Sequence, residues 1–182
     1  MLSGRAFRAQ LVTQGQRALY DHWVQLAGSR RLPARSDLDP FKLAKLLPDV
    51  SLIDVSHGVG DAWFRLAGTR LHDIYDEEIT GKRISDVFTG ASADYWRRVH
   101  GRVVNNLMPL AGVVRGPAEG RDHVVLFWLR LPLSEDGNRA DRILCHDTAG
   151  PAESAAESHG QIIAYPAIYP EARPSSRRVQ YA

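Results

Sequence analysis

The residues Phe64-Arg-Leu-Ala-Gly-Thr-Arg-Leu71, followed after a short interval by Ile79-Thr-Gly81, are the most informative part of this sequence. The first of these runs has the apolar alternation of a strand and then reaches Gly68, a residue that favours a turn. The residues from 69 to 76 have the spacing of a short helix, and Gly81 supplies a second turn. The sequence therefore predicts a strand, a helical crossover and another turn in succession.

Composition indicates an ordinary globular protein. The chain has 182 residues, of which 44% are hydrophobic and 24% charged, values typical of one domain with additional segments. It has no run of about 18 apolar residues that could span a bilayer. The single cysteine, Cys145, cannot form an internal disulfide and fits a reducing compartment. We therefore expect a cytoplasmic protein with no membrane partner.

The basic residues do not predict nucleic-acid binding. The net charge is only +2, and the arginine pairs at 30–31, 97–98 and 177–178 are far apart in the sequence. Nucleic-acid binding needs a contiguous basic stripe. We expect no nucleic-acid partner.

Residues 1–48 are predicted to form a helical extension and loop. A helix is expected over residues 5–28, with Leu19, Trp23 and Leu26 on one face and Gly28 as its end. The turn-rich residues 30–40 follow, and a short helix is expected from Pro40 to Leu47. The extension therefore has one apolar face that needs a partner.

Residues 49–148 are predicted to form an α+β core. Two strands should form a hairpin, three helical pieces should follow, and three strands should close the domain. The expected ranges are 50–55 and 62–67 for the hairpin, 69–76, 82–88 and 92–107 for the helices, and 110–115, 123–133 and 140–146 for the closing strands. Residues 149–182 are rich in Ala, Glu, Ser and Pro, and we expect a partly disordered linker and tail outside the core.

The strand at 123–133 is apolar on both faces. One face carries Val125, Phe127, Leu129, Leu131 and Leu133, and the other carries Val124, Leu126 and Trp128. A strand of this kind must be covered on both sides. Helices between residues 69 and 107 can cover one side, and the N-terminal helix or a second subunit can cover the other.

Several blocks of sequence resemble the PAS domain family, and in particular short stand-alone bacterial PAS proteins. These blocks are Leu32-Pro-Ala-Arg-Ser-Asp-Leu-Asp-Pro40, Leu46-Leu-Pro48, Phe64 to Leu71, Ile79-Thr-Gly81, and Leu131-Pro-Leu-Ser134 with Asp136-Gly137. The resemblance covers about residues 16–147. It implies a five-stranded antiparallel sheet with helices on its concave face, and a sensory or regulatory role in signal transduction rather than catalysis. One departure is Asp76, where the family tends to have glycine.

A cavity between sheet and helices is the main candidate for a ligand site. The apolar residues expected to converge there are Phe64, Leu66, Ile74, Phe88, Trp96, Val99, Val113, Phe127 and Leu129. Such a cluster is first of all a hydrophobic core, and a small apolar or aromatic ligand is the second interpretation. No cofactor or metal site is predicted. If haem were bound, as the family allows, His72 or His100 would be its ligand.

Three functions remain open from the sequence. The first is a non-enzymatic regulator that acts through protein contacts, as a homodimer with a signalling partner. In that case Leu19, Trp23 and Leu26 would pack against Val124, Leu126 and Trp128 of the same or a partner subunit. The second is a ligand-sensing module. The third and weakest is a small α+β enzyme, since the expected cavity lining is almost wholly apolar.

Overall fold

The computed structural model describes residues 2–115, 124–151 and 162–164. These residues form five helices and six strands. The helices are α1 (Leu2–Gln10), α2 (Gln14–Ala27), α3 (Thr69–Tyr75), α4 (Ile84–Val87) and α5 (Gly90–Asn106). The strands are β1 (Val50–Asp54), β2 (Trp63–Ala67), β3 (Leu110–Arg115), β4 (Val124–Leu133), β5 (Arg142–Pro151) and β6 (Ile162–Ala164). No helix in these three ranges combines the length and apolar character needed to cross a bilayer.

The strands form one sheet in the order β2-β1-β5-β4-β3-β6. Every neighbouring pair is antiparallel. Strands β1 to β5 with α3, α4 and α5 are the predicted five-stranded α+β fold, which is confirmed. The structure differs in two respects from the linker and tail expected over residues 149–182. Strand β5 continues to Pro151, and residues 162–164 pair with β3 as a sixth strand. The remainder of the predicted tail lies outside the described residues.

The N-terminal extension is two helices rather than the single helix predicted over 5–28. Thr13 is the N-cap of α2, where its side chain accepts a hydrogen bond from the backbone of Gln16. The Gln16 side chain in turn accepts from the backbone of Val12 and Thr13. This capping box begins a new helix, so the chain can change direction after α1.

The short helix predicted from Pro40 to Leu47 is a series of turns. Most of its backbone hydrogen bonds join residues three apart, as from Leu43 N to Pro40 O at 3.2 Å. A segment this short cannot sustain an α-helix without strong packing, and only Leu43 in its middle is buried. The segment is therefore a loop anchored by one side chain.

At Gly68, where the chain leaves the sheet, the backbone comes very close to another segment. A Cβ atom at this position would lie 2.0 Å from the backbone oxygen of Leu47. Helix α3 then ends at Asp76, which adopts a left-handed conformation with φ of 60°. Asp76 thus takes the backbone geometry that glycine prefers, so the departure from the family pattern leaves the crossover intact.

Two hydrophobic cores lie on opposite faces of the sheet. The helix-side core contains residues of α3, α4 and α5 together with Leu126 and Trp128 of β4. The outer-face core contains residues of α1 and α2 together with Leu129, Leu131 and Leu133 of β4. The N-terminal extension of the same chain therefore covers the second apolar face of β4, one of the two covers that the sequence allowed.

The predicted orientation of β4 was wrong. Leu126 and Trp128, expected to meet the N-terminal helix, face α5 instead, and Leu129, expected in the cavity, faces α2. The physical reason is that both faces of β4 are apolar, so alternation alone does not decide which one meets the helices, and the helix-side face also carries the charged Arg130. Arg130 is nevertheless 1% exposed, because Asp147 of the next strand balances its charge.

Candidate functional site

A buried ion pair joins β4 to β5 at the centre of the helix-side face. Arg130 lies opposite Cys145 in the register of the two strands, and Trp128 lies opposite Asp147. Arg130 and Asp147 are therefore diagonal neighbours on one face of the sheet. Arg130 Nη1 lies 2.7 Å from Asp147 Oδ1, and the two side chains are 2% and 1% exposed. This is a fully desolvated, hydrogen-bonded pair of opposite charges.

Aromatic rings of α5 and β4 surround the guanidinium group. Its central carbon lies 4.5 Å from the ring centroid of Trp96 and 5.7 Å from that of Trp128. The Trp128 Nε1 atom donates a hydrogen bond to the Tyr95 hydroxyl at 3.0 Å. A cation over aromatic faces is stabilised by their quadrupoles, and more strongly when it is desolvated. Helix α5 is thus held to the sheet through one buried arginine and its rings.

His100 of α5 completes this cluster as a neutral side chain. Arg130 Nε donates to His100 Nε2 at 3.4 Å, which requires that nitrogen to carry no proton. Burial, and then the charge of Arg130, holds the pKa of His100 well below its ordinary value. The proton therefore lies on Nδ1, which is buried and has no hydrogen-bond partner among the described residues. The ring stacks on Trp96 with centroids 5.6 Å apart.

Tyr75 of α3 reaches the same ion pair from the other side. Its hydroxyl donates to Asp147 Oδ2 at 3.4 Å. Burial, and then the nearby carboxylate, raises the pKa of Tyr75 well above its ordinary value. Burial lowers the pKa of the Arg130 guanidinium, but Asp147, Cys145 and Tyr75 together raise it by more, so the pKa lies above its ordinary value and the charge is kept.

The chemistry of this cluster is structural rather than reactive. Burial raises the pKa of Cys145 to about 12, so its thiol is protonated and a poor nucleophile at neutral pH. Among the described residues no group of three or more His, Cys, Asp or Glu side chains is arranged to hold a metal ion. The cluster fills the space between sheet and helices with paired charges and packed rings.

A cavity of about 350 Å³ lies elsewhere, at one end of the sheet. It is formed by the residues after β1, the last turn of α5 and the loop between β4 and β5. Its lining is Val55, Ser56, Gly58, Val104, Asn105, Leu107, Asn138, Arg139 and Ala140. None of the residues predicted to line a cavity is among them.

The structure separates the predicted cavity residues into groups. Five of them, Phe64, Ile74, Phe88, Trp96 and Val99, do converge in the helix-side core. Leu66 is 37% exposed on β2. Val113 and Phe127 form a small separate cluster with Val125, and Leu129 lies in the outer-face core. The lining was wrong for Val113, Phe127 and Leu129 because these residues of β3 and β4 lie on the other face of the sheet. It was wrong for Leu66 because an irregularity in the pairing of β1 with β2 places Leu66 opposite Leu52 and Phe64 opposite Ile53, so the two residues do not share a face.

Part of the predicted interface is buried within the chain itself. Leu19 and Trp23 are buried in the outer-face core, and Leu26 is half-buried. Trp23 Nε1 donates a 2.9 Å hydrogen bond to the backbone oxygen of Pro132. The predicted partners on β4 do not meet α2: Leu126 and Trp128 face α5, and Val124 is half-buried at the start of the strand.

A close contact fixes the first turn of α2 on β5. A Cβ atom at Gly15 would lie 2.3 Å from His146 Nε2, so only glycine allows this approach. Burial is the main cause of the lowered pKa of His146, and its Nε2 atom has no hydrogen-bond partner among the described residues. The helix therefore packs directly on a neutral imidazole.

The two candidate haem ligands are in different surroundings. The His72 side chain on α3 is 58% exposed. His100 is buried, with one face on Trp96 and Nε2 engaged by Arg130. A porphyrin at His100 would require both of these neighbours to move.

Sequence reasoning did not identify Arg130 and Asp147. Arg130 is the single charge within the apolar strand β4. Asp147 shares β5 with Arg142 and lies one residue beyond the strand predicted over 140–146. A lone charge in an apolar strand is a signal to look for an opposite charge on a neighbouring strand, but the predicted end of the strand left Asp147 out of that search.

The comparisons with known proteins agree with this architecture. The family model for the PAS domain matches residues 12–146, which include α2, strands β1 to β4 and the first half of β5. No curated protein matches the chain. PAS domains are typically sensory or regulatory modules. By its sequence match and its fold, the chain belongs to the PAS domain family.

Proposed function

We propose that this chain is a non-enzymatic regulatory module in signal transduction that acts through contact with a protein. The observation that supports this is the filled interior of the domain. The ion pair of Arg130 and Asp147, with the rings of Trp96 and Trp128, occupies the centre of the helix-side core. In this proposal the interior holds no ligand, and the signal is received and transmitted at the surface.

The contact surface proposed here is centred on Phe41. This side chain is 91% exposed, although the loop that carries it is anchored to the core. Leu43 anchors the loop in the outer-face core, and the Phe41 backbone N–H donates to Asp39 Oδ1 at 3.0 Å. A large aromatic side chain held in water on an anchored loop is suited to a pocket on another protein.

Two more exposed apolar side chains extend this surface. Leu47 follows the same loop and is 36% exposed, and Leu66 on β2 is 37% exposed. The contact of Gly68 with the backbone of Leu47 brings this loop against the end of β2. The proposed surface therefore joins the loop to the edge of the sheet.

Site-specific crosslinking in the organism that encodes the chain tests this proposal. The photoreactive analogue p-benzoylphenylalanine would replace Phe41, and in a matched control it would replace Arg97, whose side chain is 62% exposed on α5. We expect a discrete protein adduct from position 41 and none from position 97. Equal crosslinking at both positions, or none at position 41, would contradict the proposal.

The proposal places the protein in the cytoplasm and does not include catalysis. Cys145 is free and buried, which is compatible with a reducing compartment. The ionisable groups of the interior, Arg130, Asp147 and Tyr75, are engaged with one another. A small α+β enzyme would need such groups to face a substrate.

A second candidate function is the sensing of a small molecule in the cavity at the end of the sheet. The cavity of about 350 Å³ combines the apolar side chains of Val55, Val104 and Leu107 with the polar side chains of Ser56, Asn105 and Arg139. A concave site that offers both apolar surface and a few polar groups can orient a small ligand. A native mass above the mass of the chain, reduced by the substitution Arg139→Ala, would favour this candidate over the first.

A further inference from the structure

The outer edge of β3 carries a strand from the distant C-terminal part of the chain. Leu110, Ala111 and Gly112 lie opposite Ala164, Ile163 and Ile162 in an antiparallel register. Helix α1 lies beside the same short strand. Beyond Gly112, β3 continues to Arg115. The outer edge of β3 can therefore accept an antiparallel strand, and a segment of three residues occupies it.

The other edge of the sheet is covered by a more local segment. Phe64 N–H of β2 donates to Lys82 O at 2.9 Å, and Gly81 N–H donates to Phe64 O at 2.7 Å. The residues that cover β2 follow it closely in sequence and are fixed between α3 and α4. The β3 edge instead depends on a segment that is separated from β5 by residues 152–161. An edge protected in this way is the one that opens most easily to another strand.

We propose that the outer edge of β3 is a strand-exchange site, at which the segment 162–164 of a second copy of this chain can replace the chain's own. The replacement would make the same backbone contacts, so the recognition chemistry is already present in the structure. Exchange of an identical element between protomers is a low-cost route to a dimer. This inference goes beyond the contact surface at Phe41 and does not depend on it.

The length of residues 152–161 decides whether segment 162–164 can pair with β3 of its own chain or only with β3 of another copy. Pro151 lies opposite Val124 on β4, whereas Ile162 lies opposite Gly112, which lies opposite Trp128. The two ends are therefore three strand spacings apart across the sheet and four residues apart along it, a separation of about 20 Å. The ten residues of the connection reach about 35 Å when extended. Pairing within one chain is therefore possible without strain.

The protein concentration sets the balance between pairing within one chain and exchange between two chains. A connection of this length gives the internal segment an effective concentration in the ~mM range. The chain therefore keeps its own strand at low concentration, and exchange increases when the protein is concentrated locally or when the connection is shortened. The C-terminal segment would then make self-association depend on the length and freedom of this connection.

Shortening the connection tests the proposal with an otherwise complete chain. Deletion of residues 153–160 leaves two connecting residues, which reach about 11 Å at most and cannot span about 20 Å. Segment 162–164 can then pair only with another copy. We expect light scattering to give at least twice the mass of a matched deletion variant that also carries Ile162→Pro and Ile163→Pro, since proline cannot complete the ladder. Equal masses for the two variants would overturn the proposal.

A second measurement uses the full-length chain and remains valid if the deletion variant does not fold. Two full-length variants, Ala111→Cys and Ile163→Cys, are mixed at about 1 mM, in the range of the effective concentration, and oxidised. Since these two positions face each other in the register, exchange should give a disulfide between the two chains. The control pairs Ala111→Cys with Ser175→Cys. A heterodimer yield no higher than in the control would overturn the proposal.

Discussion

Replacing Asp147 by asparagine should destabilise the protein strongly, because it leaves Arg130 buried without a counter-charge. The two side chains are 1% and 2% exposed and their atoms lie 2.7 Å apart, so water cannot take the place of the lost carboxylate. Breaking a buried pair by removing one partner costs about 3–5 kcal/mol. For a domain of this size that loss corresponds to a decrease in Tm of about 6–20 °C.

Urea unfolding at neutral pH measures this effect against two controls. The surface pair of Asp94 and Arg97 has a similar distance, 2.8 Å, but its side chains are 60% and 62% exposed, so Asp94→Asn should cost at most about 1 kcal/mol. The double variant Arg130→Met/Asp147→Val removes both charges and should be far more stable than Asp147→Asn. A loss below about 1 kcal/mol in Asp147→Asn, or a double variant no more stable than it, would refute this reasoning.

Three further predictions concern the cover of the outer face and the buried histidines. Gly15→Ala should lower the free energy of unfolding by about 1–3 kcal/mol, because its Cβ would lie 2.3 Å from His146 Nε2. The matched change on α5 is Gly101→Ala, where a Cβ would meet open space. It should raise the free energy of unfolding by up to about 1 kcal/mol. Burial lowers the folded-state pKa of both His100 and His146. The unfolded chain therefore binds protons first, and stability to urea should be constant between about pH 7.5 and 8 and decrease as the pH falls below about 6.5. If the His146→Gln variant loses as much stability over this range as the unchanged protein, His146 makes no contribution. Trp23→Phe removes the donor to the buried Pro132 oxygen and should cost about 1–3 kcal/mol, and an unchanged urea midpoint would show that the indole hydrogen bond contributes nothing.

Much of the fold could be predicted because local signals and the tertiary structure agree. Strand β3 was predicted over 110–115, and it occupies those residues in the structure. Gly68 was recognised as the point where the chain leaves the sheet, and the contact with Leu47 explains why glycine is needed there. Turn residues and apolar alternation report local geometry, which is why these predictions succeeded.

The orientation of β4 could not be obtained from the same signals. Both of its faces are apolar, so the alternation alone does not say which face meets the helices. Arg130 does not settle the question either, because a charge usually marks a solvent-facing side and here it lies on the face that meets the helices. Its neutralising partner, Asp147, lies on another strand, and a pattern read along one strand does not include it. The break between α1 and α2 was missed for a similar reason, since the capping box at Thr13 interrupts an otherwise helical spacing.

Native mass spectrometry of the freshly purified protein is the decisive measurement for the filled interior of this PAS domain. The same sample would be measured again after denaturation, which releases any molecule bound without a covalent bond. If side chains of the chain itself occupy the space between sheet and helices, each protomer should have the same mass of 20.3 kDa in both spectra. The claim of a filled interior would be contradicted if the native protomer carried additional mass. That mass would have to be lost on denaturation and also when Trp96 or Arg130 is replaced.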